Sequence, residues 1–516
     1  MRSIRMRILA TLLVLAAVGV GGWQLLPSQQ DDGRTITVGT TDGVTSLDPA
    51  GAYDAGSWAL FSNVFQSLLT FEPGGVTPVP DAARSCDFEG TDLTTYRCEL
   101  REGLTFPSGR AMTGQDVKYS FDRIKRIKSD VGPAALLDTL RSVSASGRTV
   151  TFHLSSPDAT FPLKVATGAG AIVDSEKYPA RALRSDNGVD GTGPYTLTGY
   201  AKDKQAALAP NRHYQGALSG IGRPVELRYF GDGKALEKAW KDKRVDVATR
   251  TLPPEVLAGL NASDPDQRVS EADSSEIRNL YLNTRKASPL HDVRVRQAMA
   301  WLIDREKLAA TVYQGTVDPL YSLIPTGITG HTTSFFDAYP ELSTAKARAL
   351  LTGAGLPVRF TYGYATGRGS GAEEAAEIKR QLEATGLFKV TLKGYEWTDF
   401  QKRWASGELD AYAVGWVADF PDPDTYGGPL IGTNGTMSTG YSDRAVDQLI
   451  TASQQYADRS EATKDFRALQ EAVARDVPVI PLWQAKEYVV SSEEVGGGQY
   501  LSDGTGVFRL WRLTWI

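Results

Sequence analysis

The amino-acid sequence predicts an α/β protein with more than one domain. From Thr35 onward, short β-like segments alternate with amphipathic helical segments, which is the pattern of α/β folds. A chain of 516 residues is longer than one hydrophobic core usually supports, so two or three domains are expected. Its 41% hydrophobic and 23% charged residues are typical of a globular protein.

The first elements are predicted soon after the start of the alternating region. Residues 35–41, TITVGTT, have the β-branched composition of a strand. Two extended segments on either side of the polar turn at residues 89–93 indicate a β-hairpin. A helix is predicted to begin after Thr113, with Asp116 at its third position as the acidic partner of the cap.

The second half of the chain has the same alternation. Residues 275–284, SEIRNLYLNT, predict a buried strand. In the segment that follows, hydrophobic residues recur at helical spacing at Val295, Ala298, Met299, Leu302 and Ile303. Asp304 is predicted to cap the next helix. Three later helices are predicted at residues 343–355, 372–386 and 460–476, and two final strands at residues 478–490 and 508–516.

The N-terminus predicts export from the cytoplasm. Arg2, Arg5 and Arg7 precede a stretch of 19 uncharged residues, 8–26, which is long enough to cross a bilayer as a helix. We expect residues 1–30 to be a signal peptide or, preferably, an uncleaved membrane anchor, with the rest of the chain on the extracytoplasmic face. Removing those three charges from the net charge of −5 leaves −8 for the remainder, which argues against nucleic acid as a partner.

The two cysteines fit an oxidising compartment. Cys86 and Cys98 lie on the two arms of the predicted hairpin, so a disulfide between them is expected, with two free buried thiols as the weaker alternative. Closing so short a loop contributes about 2–3 kcal/mol to stability. Two cysteines without a nearby histidine make a poor zinc site, and the four histidines are scattered along the chain. No cofactor or metal is expected.

Three aspartates in residues 415–426, GWVADFPDPDTY, form the most unusual acidic segment. A calcium loop is disfavoured because Phe420, Pro421 and Pro423 break its template. An acid/base pair is disfavoured because no motif ties a nucleophile or histidine to these acids. Asp422 and Asp424 fit a turn, while Asp419 follows the strand-like AYAVGWV and is a turn acid or a partner for a cationic ligand.

Several segments, taken together and in order, resemble the family 5 solute-binding proteins, the oligopeptide- and dipeptide-binding receptors of ABC importers. The most family-specific pair is GTGPYTL at residues 191–197 and PNRHY at 210–214. The others are SLDPA, GLTFPSGRAMTGQDVKYSFDRI, LHDVRVRQAMAWLIDREKL, STAKARALLTGAG and DVPVIPLWQ. The motifs occur in the same order over about 450 residues, which argues strongly against a chance similarity.

The resemblance implies a two-lobed, periplasmic-binding-protein-like type II fold with an extra β-rich subdomain and a cleft between the lobes. The family pattern assigns lobe I to residues 31–65, 190–275 and 490–516, and lobe II to residues 276–489. Residues 66–189 form the β-rich subdomain of lobe I. Such a fold implies that the two lobes close around a ligand by bending at a hinge.

The resemblance also implies the ligand-binding residues. In peptide-binding relatives the acid matching Asp419 pairs with the ligand's α-ammonium, and aromatic side chains line the cleft. The predicted ligand-binding residues of this chain are Asp419, Trp416, Gly415, Val417, Trp397, Tyr53, Asp54 and Ala55. Packing in a core is an equally good interpretation of either tryptophan alone.

The sequence departs from the family where a peptide carboxylate would be held. Ala413 and Trp404 stand where oligopeptide binders have basic residues, and Arg403 or Arg368 is a possible substitute. No cysteine precedes Cys86, so a lipid tether just after the signal is not expected, and the helix at residues 8–26 would be the anchor.

The predicted function is an extracytoplasmic receptor that captures a peptide-like ligand by lobe closure and delivers it to an ABC permease and its ATPase. It is predicted to be a monomer without enzymatic activity. Alternative ligands on the same fold are a nickel chelate, a siderophore, an oligosaccharide or a signalling peptide. Alternatives from other classes are a secreted hydrolase using Asp419 with Glu396, or a structural cell-surface protein.

Overall fold

The computed structural model describes residues 33–218, 222–367, 369–433, 435–503 and 506–516. Ile36–Ile516 form one compact unit, and the residues before it form a separate unit, of which 33–35 are described. The predicted signal or anchor at residues 1–30 lies outside the described residues. Among the helices that are described, none is both long enough and apolar enough to cross a bilayer.

The strands are numbered β1 to β19 along the chain. In order they are Ile36–Thr40, Leu69–Thr70, Val79–Pro80, Ala83–Phe88, Thr95–Leu100, Leu140–Ser146, Thr149–Leu154, Tyr195–Ala201, Gln205–Pro210, Val225–Tyr229, Val247–Thr249, Gln267–Leu282, Val317–Pro319, Val358–Ala365, Phe388–Tyr395, Ala411–Trp416, Val479–Ser492, Val495–Gly496 and Thr514–Trp515.

The α-helices are numbered α1 to α14 along the chain. In order they are Ala55–Val64, Gly114–Ile127, Phe161–Val165, Gly233–Lys241, Pro254–Ala258, Val293–Ala300, Arg305–Thr311, Ser334–Ala338, Thr344–Leu350, Gly371–Glu383, Trp397–Ser406, Asp424–Ile431, Arg444–Ser453 and Thr463–Asp476.

One mixed sheet of 11 strands extends through the molecule. Its order is β15-β14-β16-β12-β17-β11-β1-β10-β9-β8, with β13 added beside β17. Strand β1 is parallel to both of its neighbours, and β14 is parallel to β15 and β16, whereas β12 is antiparallel to β16 and β17. Parallel segments joined by helices are what the alternating sequence pattern predicted.

Two large hydrophobic cores lie at the two ends of this sheet. The first core is built from side chains between Ile36 and Val247, from those between Val489 and Leu513, and from Phe420. The second core is built entirely from side chains between Ile277 and Trp483. Segments distant in sequence therefore share the first core, as expected of interleaved rather than successive domains.

The long strands β12 and β17 connect the two cores. The part of β17 from Val489 to Ser491 pairs with β11 beside the first core. The part of β12 from Ile277 onward pairs with β16 within the second core. Their mutual pairing is interrupted by a register shift between Asp273 and Ile277. Antiparallel strands with an irregularity between two cores are suited to bending there. The domain boundaries predicted from the sequence remain a prediction.

A separate antiparallel sheet carries the disulfide. Its strand order is β4-β5-β7-β6, and its hydrophobic face belongs to the first core. Cys86 and Cys98 lie directly opposite each other in the β4–β5 pair and are joined by a disulfide. The hairpin and the disulfide predicted from the sequence are both confirmed.

The predicted helix starts are also confirmed. Helix α2 begins after Thr113, and Asp116 Oδ2 accepts the Thr113 backbone N–H at 2.9 Å. Helix α7 begins after Asp304, whose carboxylate accepts the Lys307 N–H at 2.9 Å. Backbone N–H groups at the start of a helix have no acceptor within the helix, and these two contacts each supply one with a carboxylate acceptor.

The prediction of a final strand over residues 508–516 is largely wrong. A 3₁₀ turn occupies Leu510–Arg512, and only Thr514–Trp515 pair as a strand, with β18. Leu510 and Trp511 are neighbours in sequence and are both buried in the first core. A strand would point them to opposite faces, whereas the turn buries both.

The disulfide is expected to stabilise the protein through its unfolded state. Replacing both Cys86 and Cys98 by alanine should lower the free energy of unfolding by about 2–3 kcal/mol, because the linked residues enclose a short loop. Urea unfolding measures this change. Wild type in reductant is the control and should lose the same amount. Equal stability of the oxidised wild type and the double variant would contradict the expectation.

Candidate functional site

The site begins at an edge of strand β16 that is only partly paired with a neighbouring strand. β16 pairs with β12 along its whole length, from Ala411 to Trp416. On its other side, β14 pairs with it only at Ala411 and Tyr412. Within the described ranges, the edge from Ala413 to Trp416 therefore has no strand partner. Such an edge can offer its backbone N–H and C=O groups to an extended peptide.

Asp419 lies just beyond this edge and is 93% buried. Its Oδ2 accepts hydrogen bonds from the Tyr53 hydroxyl at 2.7 Å and from the Thr425 hydroxyl at 3.2 Å. Tyr53 packs against the first core, and Thr425 belongs to α12 beside the second core. The other oxygen, Oδ1, accepts no hydrogen bond from any residue that the structure describes.

Burial dominates the electrostatics of Asp419. Loss of hydration raises the pKa of its carboxyl to about 7, against an ordinary value of 3.8. The hydrogen bonds from Tyr53 and Thr425 and the positive charge of Lys164 partly offset this effect on the pKa. A carboxyl with this pKa is costly to ionise, so an ammonium group placed beside it would stabilise the ionised form through a charge-assisted hydrogen bond.

Trp416 and Gly415 complete the edge beside Asp419. The Trp416 indole Nε1 donates to the Thr425 hydroxyl at 3.3 Å, which places the half-buried ring next to Asp419. A Cβ at Gly415 would lie 3.0 Å from Glu276 Oε1, so a glycine here leaves room for that carboxylate. Val417, the next residue, is half-buried.

The other predicted residues have mainly local contacts. Trp397 is the first residue of α11, and its ring packs at 6.1 Å from the Phe400 ring and at 5.7 Å from the Trp404 ring, between centroids. Asp54 caps α1 by accepting the Ser57 N–H at 2.8 Å. Ala55 begins α1 and is exposed. The structure thus brings Tyr53, Trp416 and Asp419 together, and the ligand contacts of the whole set remain a prediction.

Asp422 and Asp424 have partners that the sequence did not predict. Asp422 forms a bidentate ion pair with Arg459, with both N–O distances 2.8 Å, and also accepts the Asp424 N–H at 2.9 Å. Asp424 accepts from Gln454 Nε2 at 3.2 Å on both oxygens. The contact between Asp422 and the Asp424 N–H fits the turn predicted for these residues, and both carboxylates are buried.

A lysine from the β-rich part of the first core faces this acidic segment. Lys164 in α3 is buried and pairs with Asp158 at 2.8 Å. Burial lowers the pKa of Lys164, but the charges of Asp158 and Asp424 outweigh it and the pKa is raised. Burial raises the pKa of Asp424 to about 6, against the charge of Lys164. Nothing in the sequence indicates that Lys164 lies near Asp424 or that Arg459 pairs with Asp422, because these partners are far apart along the chain.

The segment after Asp419 also joins the two cores by packing. Phe420 is buried in the first core, although the strand that precedes it, β16, belongs to the second. Close by, the Ala159 N–H donates to the Gln454 carbonyl oxygen at 2.7 Å. Asp419 itself lines a cavity of about 40 Å³ whose other walls include Trp58, Ser62 and Thr167.

An arginine lies where the first core meets the connecting strands. The Arg250 guanidinium is 2.6 Å from Asp42 Oδ2, 3.6 Å from Glu487 Oε2 and 3.9 Å from Glu276 Oε2. Three carboxylates around one guanidinium give this group of side chains a negative balance. Because Glu276 lies against Gly415, the negative charge extends to the open edge of β16.

The positions that depart from the family pattern are apolar in the structure. Ala413 is buried, and the Trp404 ring stacks on the Tyr412 ring at 5.8 Å. Arg403 is paired with Asp399 at 2.9 Å and with Glu408, so it is engaged on its own helix and the following loop. Arg368 lies outside the described residues. Among these described positions, the one cation, Arg403, is already paired with two carboxylates.

Metal chemistry has no candidate among the residues described. No group of three or more histidine, cysteine, aspartate or glutamate side chains there is arranged to hold a metal ion. Asp422 is paired with Arg459, and Asp424 accepts a hydrogen bond from Gln454 and lies near the charge of Lys164.

The sequence matches the model of the bacterial extracellular solute-binding proteins, family 5, over residues 77–438. The chain belongs to this family. It is 25% identical over 476 residues to the probable D,D-dipeptide-binding periplasmic protein DdpA of Escherichia coli, covering 90% of each chain. It is 26% identical over 525 residues to di/tripeptide-binding protein 2 of Pseudomonas aeruginosa, covering 94% of this chain and 95% of the relative.

Solved structures of the family share its fold. The periplasmic binding protein DppA of Helicobacter pylori, in complex with the peptide STSA, matches with a TM-score of 0.80 at 22% identity, covering 95% of this chain and all of the other. The two cores joined by β12 and β17 are the two lobes of a type II periplasmic-binding-protein fold, as predicted. The family is one of extracellular solute-binding proteins, and this protein is a solute-binding receptor.

The raised pKa of Asp419 has a consequence for stability. Because the folded-state pKa lies above the unfolded value, its contribution to stability is present at low pH and is lost as the pH rises through about 7. Asp419→Asn carries no charge at any pH, so without ligand it should be more stable than wild type by about 1–3 kcal/mol at pH 8. The difference should shrink at pH 5, where wild type is protonated.

Urea unfolding of refolded, ligand-free protein at the two pH values measures this difference. Asp130→Asn is the matched control, because Asp130 is exposed, and it should leave the stability unchanged at both pH values. A stability difference for Asp419→Asn that is the same at pH 5 and pH 8 would show that the charge of Asp419 is not its cause.

Proposed function

We propose that this protein captures peptides that have a free amino end and delivers them to an ABC permease and its ATPase. The observation that carries the proposal is the buried Asp419, whose free Oδ1 lies at the end of the open β16 edge. The edge can pair with the peptide backbone while Oδ1 accepts from the α-ammonium. The names of the peptide-binding relatives support the same ligand class.

Closure of the two lobes is the proposed mode of capture. Tyr53 reaches Asp419 from the first core, and Phe420 enters that core from the segment after β16, so these two contacts form only when the lobes are together. The Thr425 contact lies within the segment that carries Asp419 and is present in either state. The connecting strands β12 and β17 are the proposed hinge, because their pairing is irregular between the cores. The closed receptor would then present its ligand to the permease, with residues 8–26 exporting or tethering the chain.

We propose that the receptor carries out no covalent reaction. Glu396, the second acid of the alternative hydrolase, is exposed as the N-cap residue of α11. The groups that contact the Asp419 carboxylate are the hydroxyls of Tyr53 and Thr425. Hydroxyl donors on one oxygen and an open second oxygen suit the binding of a cation more than the activation of water. Monomeric behaviour remains a prediction.

Asp419→Asn should weaken binding of a peptide with a free amino end by about 30- to 1,000-fold, since it removes one member of a buried charge pair. Isothermal titration with a mixed tripeptide library, and with the same library N-acetylated, measures the effect. Wild type should bind the acetylated library as weakly as the variant binds the free one.

The same Asp130→Asn variant serves as control and should bind like wild type. Native mass spectrometry of gently purified residues 31–516 measures the mass of any natural ligand that co-purifies with the protein. Equal affinity of wild type for free and acetylated peptides would refute amino-end recognition, and a single non-peptide mass released on denaturation would replace the proposed ligand class.

Binding is also expected to depend on pH. Asp419 must be ionised to attract an ammonium group, so affinity should fall by up to about tenfold per pH unit below about 7. The α-amino group of the peptide loses its proton above about pH 8, so the affinity should fall there as well. Titrations from pH 5 to 9 measure the profile. Asp419→Asn should have a flat profile below pH 7, and a falling one there would assign the dependence to another group.

A further inference from the structure

The Thr425 hydroxyl forms hydrogen bonds with both Asp419 and Trp416. Its hydroxyl accepts from the Asp419 backbone N–H at 3.1 Å and from Trp416 Nε1 at 3.3 Å. It donates its single hydrogen to Asp419 Oδ2 at 3.2 Å. A hydroxyl has one hydrogen and two lone pairs, so all of its bonding capacity is used.

This arrangement fixes which oxygen of Asp419 is left for a ligand. Because both lone pairs accept N–H groups, the hydroxyl hydrogen can only point to the carboxylate. Tyr53 donates to the same Oδ2, so the two hydroxyls occupy one oxygen and orient the other away from them. Thr425 is 98% buried, so water does not compete for these contacts.

We propose that Thr425 is a positioning residue that sets the orientation and charge of Asp419, and the place of Trp416, for the amino group of the ligand. This inference rests on the proposed function. Neither the sequence motifs nor a contact with the ligand would identify Thr425, because it acts through two neighbouring side chains. Serine preserves its hydroxyl, whereas valine preserves its shape and removes all three hydrogen bonds.

The hydroxyl also affects the charge state of Asp419. Four other titratable groups act on this carboxylate, namely Tyr53, Lys164, Asp424 and Tyr426. The Tyr53 and Thr425 hydrogen bonds and the charge of Lys164 lower the pKa of Asp419, while burial and Asp424 raise it. Removing the Thr425 hydroxyl deletes one of the lowering effects, so the pKa of Asp419 rises further.

The test compares Thr425→Val, Thr425→Ser and wild type by titration with free and N-acetylated tripeptides from pH 5.5 to 8.5. Thr425→Val should weaken binding of the free peptide 10- to 100-fold at pH 7, the range expected for losing a hydrogen bond to a charged group. It should move the midpoint of the pH profile upward and leave the weak binding of the acetylated peptide unchanged. Thr425→Ser should restore both affinity and midpoint.

Thr451→Val is the matched control, since the Thr451 hydroxyl bonds only to the Asp447 carbonyl oxygen in the described structure, on an exposed face of α13. If Thr425→Val does not fold, Thr425→Ala removes the same hydroxyl with less bulk. Equal weakening for free and acetylated peptides, or no rescue by serine, would overturn the role of Thr425. If wild type itself does not distinguish the two peptides, the proposed function fails instead.

Discussion

The organisation of the site depends on the burial of one carboxylate. An ionised carboxylate away from water is costly unless other groups replace its hydration. Asp419 has two hydroxyl donors, one from each lobe, and no directly paired cation among the residues described. Its raised pKa measures the part of this cost that the protein leaves uncompensated. A ligand that places a positive charge beside Asp419 would offset this cost, and the offset would add to the free energy of binding.

The negative charges of the three aspartates in the segment are stabilised in three different ways. Asp422 is neutralised by Arg459 in a bidentate pair, and Asp424 lies near Lys164 and accepts from Gln454. Of the three, Asp419 is the one with an oxygen that accepts no hydrogen bond from the residues that the structure describes. Close acids with separate partners can stay ionised side by side, whereas acids sharing one site repel each other. The dense acidic sequence is thus compatible with a single ligand-facing charge.

Local sequence patterns predicted the local features of the structure. Thr113 and Asp304 cap helices because capping needs only a side chain and an N–H a few residues apart. Cys86 and Cys98 were predictable because a hairpin brings its own arms together. Lys164, Thr425 and Phe420 gave no such indication, since their roles depend on contacts between distant segments or on side-chain direction. The family resemblance, rather than spacing or periodicity, predicted Asp419 and the two lobes.

Phe420 has a consequence for the rate of exchange. A phenylalanine buried in a core contributes about 1.5–3 kcal/mol, and this one belongs to a loop of the opposite lobe. In the proposed closure, opening the cleft would move the ring into water, which adds to the free energy of opening whether or not a ligand is present. A smaller open population would slow association and release alike. The phenylalanine thus lengthens the residence of the cargo without helping to select it.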